Sequence, residues 1–145
     1  MIHFACPCCS GKSYQECCEP YHKGRLPENA LTLMRSRYSA YALRLADYII
    51  DTTHPMNPHY VADNRKAWKE EIMTFARLTH FVKLEIVEFI DGDEKAFVTF
   101  NAHLKQAGKD VSFSEKSSFE KVGKKWLYRD GETKPFPVKA ELVDL

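Results

Sequence analysis

No stretch of the 145-residue chain approaches the roughly 20 consecutive apolar residues that a membrane-spanning helix needs. Neither sign of charge dominates: 21 lysines and arginines stand against 20 aspartates and glutamates, a net charge of +1. Nucleic-acid binders usually show a basic excess, so nucleic acid is not an expected partner. The opening residues, MIHFACPCCSGK, have neither the charged nor the apolar region of a secretion signal, which points to the cytoplasm. A phosphate-cradling glycine loop is missing too. Ser10-Gly11-Lys12-Ser13 echoes the end of one, but the upstream glycine and the preceding strand are absent. Residues 26–145 contain no cysteine at all.

What is present makes that last absence informative. The chain is 44% apolar and 12% aromatic, enough for one real core at roughly 100–200 residues per domain. Its five cysteines, Cys6, Cys8, Cys9, Cys17 and Cys18, all fall within the first 25 residues. Disulfides are rare in cytosolic proteins, and an odd number cannot all pair. Four thiolates converging on one zinc ion explain the cluster better. Tetrahedral zinc takes its ligands as close pairs separated by a loop, here Cys6-x-Cys8 and Cys17-Cys18. Pro7 stiffens the first pair, Ser10 to Ser13 is turn material, and Lys12 places a cation near a site of net charge −2. The segment has little to bury, so its folding energy would come from the metal. Four ligands and no open position point to a structural ion rather than a catalytic one. Cys9 is the spare thiol, and His22 is an alternative ligand.

Cys6-Pro7-Cys8-Cys9-Ser10-Gly11-Lys12-Ser13-Tyr14, followed by Cys17-Cys18, resembles the SEC-C motif, a short zinc-binding module. The resemblance implies Cys6, Cys8, Cys17 and Cys18 as the ligands. The motif usually has glycine where this chain has Cys9, which puts strain at that turn. In the bacterial preprotein-translocation ATPase the same module is an attachment surface. The resemblance therefore implies a protein partner docked through this segment.

Beyond the cysteines, Glu19 to Asn29 reads as a linker punctuated by Pro20, Gly24 and Pro27. A long helical pattern follows from Ala30 to Ile50, with Leu31, Met34, Tyr38, Tyr41, Ala42 and Leu45 on one face and Leu33, Arg37, Arg44 and Tyr48 on another. A short helix over Tyr48 to Thr53 ends before Pro55. Asp63 or Asn64 caps a third helix with Trp68, Ile72, Phe75 and Ala76 as its stripe. From His80 the period becomes two, and a parity change predicts a bulge near Ile86. Further strands are expected over Ala96 to Leu104, Val111 to Val122 and Trp126 to Arg129, the last ended by Asp130-Gly131. A final short strand is expected between Lys134 and Leu145. The basic hairpin around Lys121, Lys124, Lys125 and Arg129 reads as a solvated tip.

Helices first and an antiparallel meander afterwards define an α+β fold. Three N-terminal helices on a curved antiparallel sheet suggest the nuclear transport factor 2-like, or cystatin-like, cone with an N-terminal zinc knuckle. Met34 to Tyr41, Asp47-Tyr48, Thr53-His54-Pro55, Trp68, Phe97 to Leu104, Glu115 to Phe119 and Trp126 to Gly131 look like the middle domain of YchJ-type proteins. That family joins a SEC-C motif to such a cone, which implies residues 1–25 as the zinc motif and 26–145 as the cone. The family often reads His-Glu-x-Ser-Arg-Phe where this chain reads Ser114-Glu115-Lys116-Ser117-Ser118-Phe119. Any chemistry carried by that histidine or arginine is lost here.

Folds of this shape often enclose an apolar pocket. Candidate linings are Tyr38, Tyr41, His54, Trp68, His103 and Glu115, with Phe113, Glu115, Ser117 and Phe119 sharing one strand face. Glu115 among aromatics has the makings of a general base, with His54 stabilising negative charge, and isomerases on this fold use similar parts. Alternatively Arg35 or Arg37 simply pairs with Glu115. The leading expectation is a zinc-binding protein without catalysis, with a small-ligand pocket in the cone and a docking surface at the zinc segment. The alternative is an isomerase or hydrolase using Glu115 with His54 or Tyr38.

Overall fold

The computed structural model describes residues 4–139. A 3-10 turn, Tyr14–Glu16, leads into α1 (Glu19–His22), α2 (Ala30–Ala42), α3 (Ala46–Asp51) and α4 (Arg65–Leu78). Five strands follow: β1 (His80–Ile90), β2 (Lys95–Gln106), β3 (Lys109–Asp110), β4 (Phe113–Val122) and β5 (Lys125–Lys134). The sheet is antiparallel in the order β1-β2-β4-β5, with β3 paired to β2.

Asparagine side chains start the two long helices. The Asn29 carboxamide oxygen accepts from the Thr32 amide at 2.8 Å, and that of Asn64 accepts from Ala67 at 3.1 Å. α2 stops short of the expected Ile50. Arg44 adopts φ +62°, while Leu45 N–H donates to the Ala40 carbonyl at 2.7 Å and Arg44 N–H to that of Tyr41 at 3.1 Å. This is a Schellman ending with arginine where glycine usually stands. α3 then begins at Ala46. The stretch read as a linker contains the single turn α1, opened by Pro20 in its first turn.

The sheet curves through register shifts. β1 slips against β2 between Ile86 and Glu88, where the bulge was expected, and again between Phe81 and Lys83. β4 slips against β5 between Ser118 and Phe119. Each shift adds local twist and bends the strand. β4 starts at Phe113 rather than Val111. β5 does not end at Asp130-Gly131 but runs on to Lys134, pairing Gly131 with Ser117. Past Lys134 the described residues form no strand, and 140–145 of the expected last one lie outside them. Val138 nevertheless docks its backbone on the Asn101 side chain, donating to Oδ1 at 2.8 Å and accepting from Nδ2 at 2.9 Å.

α2 packs against β1, β2 and β5. Leu33, Met34 and Tyr38 meet Val98, Phe100, Ala102 and Leu104 of β2, Phe119 of β4 and Trp126 of β5 in the main core. A second cluster joins Ala40, Ala46, Ile49 and Ile50 to Trp68 and Ile72 of α4. The first core also takes in Cys6, Cys8, Tyr14 and Cys18, so the cysteine segment is packed onto the cone.

Candidate metal centre and cavity

The cysteine segment is a small folded unit. Ala5 and Ser13 form an antiparallel bridge, and the Cys6 amide donates to the Lys12 carbonyl at 2.9 Å. Within this loop the Cys9 amide donates back to the Cys6 carbonyl at 3.1 Å, closing a turn around Pro7 and Cys8. Cys9 itself sits at φ +64°, the conformation that suits the glycine of the SEC-C pattern. Its thiol is exposed and directed to the Pro7 carbonyl, outside the cluster. Cys17 and Cys18 arrive from the end of the 3-10 turn.

The sulfurs of Cys6, Cys8, Cys17 and Cys18 all lie within 4.8 Å of one another. Cys8 and Cys17 are 3.6 Å apart, and Cys17 and Cys18 are 3.9 Å apart. Tetrahedral zinc with Zn–S bonds of about 2.3 Å sets its sulfurs about 3.8 Å from each other. The spacing fits an ion and is far too long for disulfides, so these four cysteines can hold a metal. Without an ion, S–H donation from Cys18 and then Cys6 pulls the Cys8 thiol well below its ordinary range. The same sharing, first with Cys6, pushes Cys18 up, and burial pushes Cys17 up to about 11. One thiolate is favoured and further ones are resisted, and a dication relieves that resistance.

α2 supplies the surroundings. Ser39 Oγ lies 3.3 Å from both Cys6 Sγ and Cys18 Sγ. Arg35 Nη1 donates to the Cys8 carbonyl at 3.0 Å and lies 3.9 Å from Cys8 Sγ. Arg35 thus places a cation against the sulfurs, while Lys12, expected in that role, is exposed. His22 is not part of the sulfur cluster. Its Nε2 donates to the Ser36 carbonyl at 2.8 Å, leaving Nδ1 to accept from the Tyr14 hydroxyl at 2.7 Å. Burial lowers the imidazole pKa and keeps it neutral.

On the other side of α2 lies a cavity of about 200 Å³, walled by Met34, Tyr38, Tyr41, Phe75, Phe81, Phe100 and Phe113 and carrying Arg37, Glu115, Ser117 and Tyr128. Glu115 Oε2 accepts from the Ser117 hydroxyl at 2.5 Å and from the Tyr128 hydroxyl at 2.9 Å. Gly131 faces this carboxyl so closely that a Cβ there would strike it and the Tyr128 hydroxyl. Burial, reinforced by the Glu115 charge, pushes the Tyr128 phenol far up, so it stays a donor. Arg37 stacks 4.8 Å from the Tyr128 ring centroid. Its Nη1 donates to the Ile49 carbonyl at 3.0 Å, to Thr52 Oγ1 at 2.7 Å and to Thr53 Oγ1 at 3.2 Å. Among the described residues neither Arg37 nor Glu115 joins a salt bridge.

Of the six expected lining residues, the structure brings Tyr38, Tyr41 and Glu115 together. The other three lie elsewhere. His54 sits in a turn, its Nδ1 accepting from the Met56 amide at 2.9 Å. Trp68 belongs to the α3–α4 cluster, edge-on to Tyr60 at 5.2 Å. His103 alternates away from Phe100, Ala102 and Leu104, reaching Glu85 at 3.4 Å and Phe136 at 5.2 Å. Tyr128 was not singled out for the site, while Ser117 was named only for sharing the strand face of Glu115 and Arg37 only as an alternative partner of that carboxylate. Strand parity with Glu115 was the available signal for Ser117, and Tyr128 had none.

Helices on a bulged antiparallel sheet, enclosing a cavity, define a nuclear transport factor 2-like domain with a cysteine cluster at its N-terminal side. Residues 29–131 match the family model described as YchJ, middle NTF2-like domain, and the chain belongs to that family. It is 37% identical over 131 residues to the UPF0225 protein SG1365 of Sodalis glossinidius, covering 87% of this chain and 81% of that one. The solution structure of RPA3114, a SEC-C motif containing protein from Rhodopseudomonas palustris, is similar at TM-score 0.75 and 31% identity, covering 89% and 98% of the two chains. The crystal structure of a SEC-C motif containing protein from Psychrobacter arcticus is similar at TM-score 0.72 and 27% identity, covering 96% and 84%. Among the described residues no helix is long and apolar enough to cross a membrane.

Proposed function

We propose that this chain is a zinc-stabilised binding protein. Cys6, Cys8, Cys17 and Cys18 hold a structural zinc ion that fastens the N-terminal segment to α2, and the cone takes a small ligand. The observation that carries this reading is the placement of α2 between the sulfur cluster and the cavity, with Ser39 on one side and Tyr38 on the other. Within the zinc segment, for which a docking surface was expected, Tyr14 is 8% exposed and stacked on Phe4, which favours packing on the cone as the role of this segment.

The pairing of Glu115 with Tyr128 is the one observation that favours catalysis by proton transfer. Against it, Oε2 is already occupied by the Ser117 and Tyr128 hydroxyls. Of the two expected partners of Glu115, Tyr38 lines the cavity and His54 stands outside it. The binding reading is therefore preferred. Elemental analysis of protein purified without added metal should give one zinc per chain, and Cys18→Ser should lose it and lower the melting temperature. Full zinc content in Cys18→Ser, or an ordered N-terminal segment in metal-free protein, would refute the metal assignment.

A further inference from the structure

The cavity has a polarity that narrows what it can bind, given the binding reading above. Glu115 is its only carboxylate. Oε2 is already occupied by the Ser117 and Tyr128 hydroxyls, and Oε1 accepts no hydrogen bond among the described residues. The carboxyl is also held in place by those two hydroxyls and by the close approach of Gly131. It is an acceptor fixed before any ligand arrives, so little ordering cost falls on binding.

The walls set the shape. Tyr41 meets Phe75 edge-on at 83°, Phe75 meets Phe81 at 80°, and Phe100 meets Phe113 at 76°. These ring pairs pack against one another and line the cavity with aromatic faces and edges, against which a planar aromatic guest can stack or sit edge-on. At about 200 Å³ the space lies below the roughly 300–1,000 Å³ of drug-sized sites, so the guest is small.

Charge sets the rest. A ligand anion placed at Oε1 meets Glu115. A ligand cation meets Arg37, which lines the same cavity with no carboxylate within salt-bridge distance among the described residues. A neutral guest avoids both. We infer that the cavity selects small, uncharged aromatic molecules that carry an N–H or O–H group, with Glu115 Oε1 as the residue that reads the donor. A site built to pair with a donor rejects the analogue that lacks it, because its acceptor then gives up water without gaining a bond in return.

The test uses three probes of similar shape on the full zinc-loaded chain: indole, which has the N–H; 1-methylindole, which lacks it; and indole-3-carboxylate, which is an anion. Affinities come from ligand-observed NMR titration, with melting temperatures as a check on folding. The expected result is at least tenfold tighter binding of indole than of either other probe. Glu115→Ala should abolish the preference over 1-methylindole while leaving both measurable. If Glu115→Ala does not fold, Glu115→Gln, which keeps the shape, should reduce the preference. Equal binding of indole and 1-methylindole to the unmodified chain, or a preference that survives in a folded Glu115 variant, overturns the inference while leaving the cavity a binding site. Binding of none of the three overturns the inference and the binding reading with it.

Discussion

Gly131 offers a sharp test of whether the Glu115 carboxyl stands where the fold places it. The residue lies inside β5, and its φ is not in the left-handed region. Alanine is conformationally acceptable there and by itself would stabilise the chain by about 0.4–1 kcal/mol through the unfolded state. The obstacle is external: the new Cβ would meet the Glu115 carboxyl and the Tyr128 hydroxyl. The carboxyl must swing aside and lose at least one of its two hydrogen bonds, at 2.5 Å to Ser117 and 2.9 Å to Tyr128. A hydrogen bond to a charged group contributes about 1.5–3 kcal/mol, so Gly131→Ala should destabilise by about 0.5–2.5 kcal/mol net. In a Glu115→Ala/Tyr128→Phe background both obstacles are gone, and the same change should be neutral or stabilising. Urea denaturation of zinc-loaded protein in the two backgrounds measures the difference. Costs that agree within about 0.5 kcal/mol would mean the two sites are independent and the packing argument fails.

Two further outcomes are expected. Cys9→Gly removes a side chain from a left-handed position at φ +64°, where non-glycine residues cost roughly 1–2 kcal/mol, and should raise stability by about 0.5–1 kcal/mol after glycine's extra unfolded-state freedom. Zinc content should not change, and its loss in that variant would make Cys9 a ligand. For His22, burial lowers the folded pKa below the unfolded value of about 6.5, so the unfolded chain binds more protons as the medium acidifies. Its contribution to stability is therefore complete above about pH 6.5 and is lost as pH falls below it. Comparing melting temperatures of the parent and His22→Gln between about pH 5 and 8 isolates this term, and parallel curves would refute it.

The strands, the Asn64 cap and the bulge near Ile86 were legible because each rests on local chemistry: a period of two, a side-chain acceptor and a change of parity. Features set by tertiary contact were not. The helix break at Arg44 carries no glycine to announce it. Asp130-Gly131 reads as a terminator, yet this glycine marks a close approach of a side chain from β4. The distinction between Arg35 and Arg37 was also hidden. Two positions apart on α2, they face different partners, one the Cys8 carbonyl and the other the Tyr128 ring.

That divergence explains why α2 looks poorly amphipathic yet is buried on several sides. Arg35, Ser36 and Ser39 address the cysteine segment; Met34, Arg37, Tyr38 and Tyr41 address the cavity. Both sets recur at three- and four-residue steps, so each forms a stripe of its own on the helix. Ser36 and Ser39 are fully buried, and so would be costly without partners. The Ser36 carbonyl accepts from His22, the Ser36 hydroxyl meets Tyr48 at 2.7 Å, and Ser39 meets two sulfurs at 3.3 Å. Ser39 thus depends on the cysteine segment for its side-chain partners, whereas the Ser36 hydroxyl is satisfied by the Leu33 carbonyl and Tyr48. Under the proposed zinc reading the segment, with few apolar side chains of its own, folds around the ion and onto this helix. Under that reading, metal binding and the position of the cavity's own helix are coupled through Ser39. Anything that distorts the sulfur cluster acts first on Ser39, one residue from the cavity-lining Tyr38.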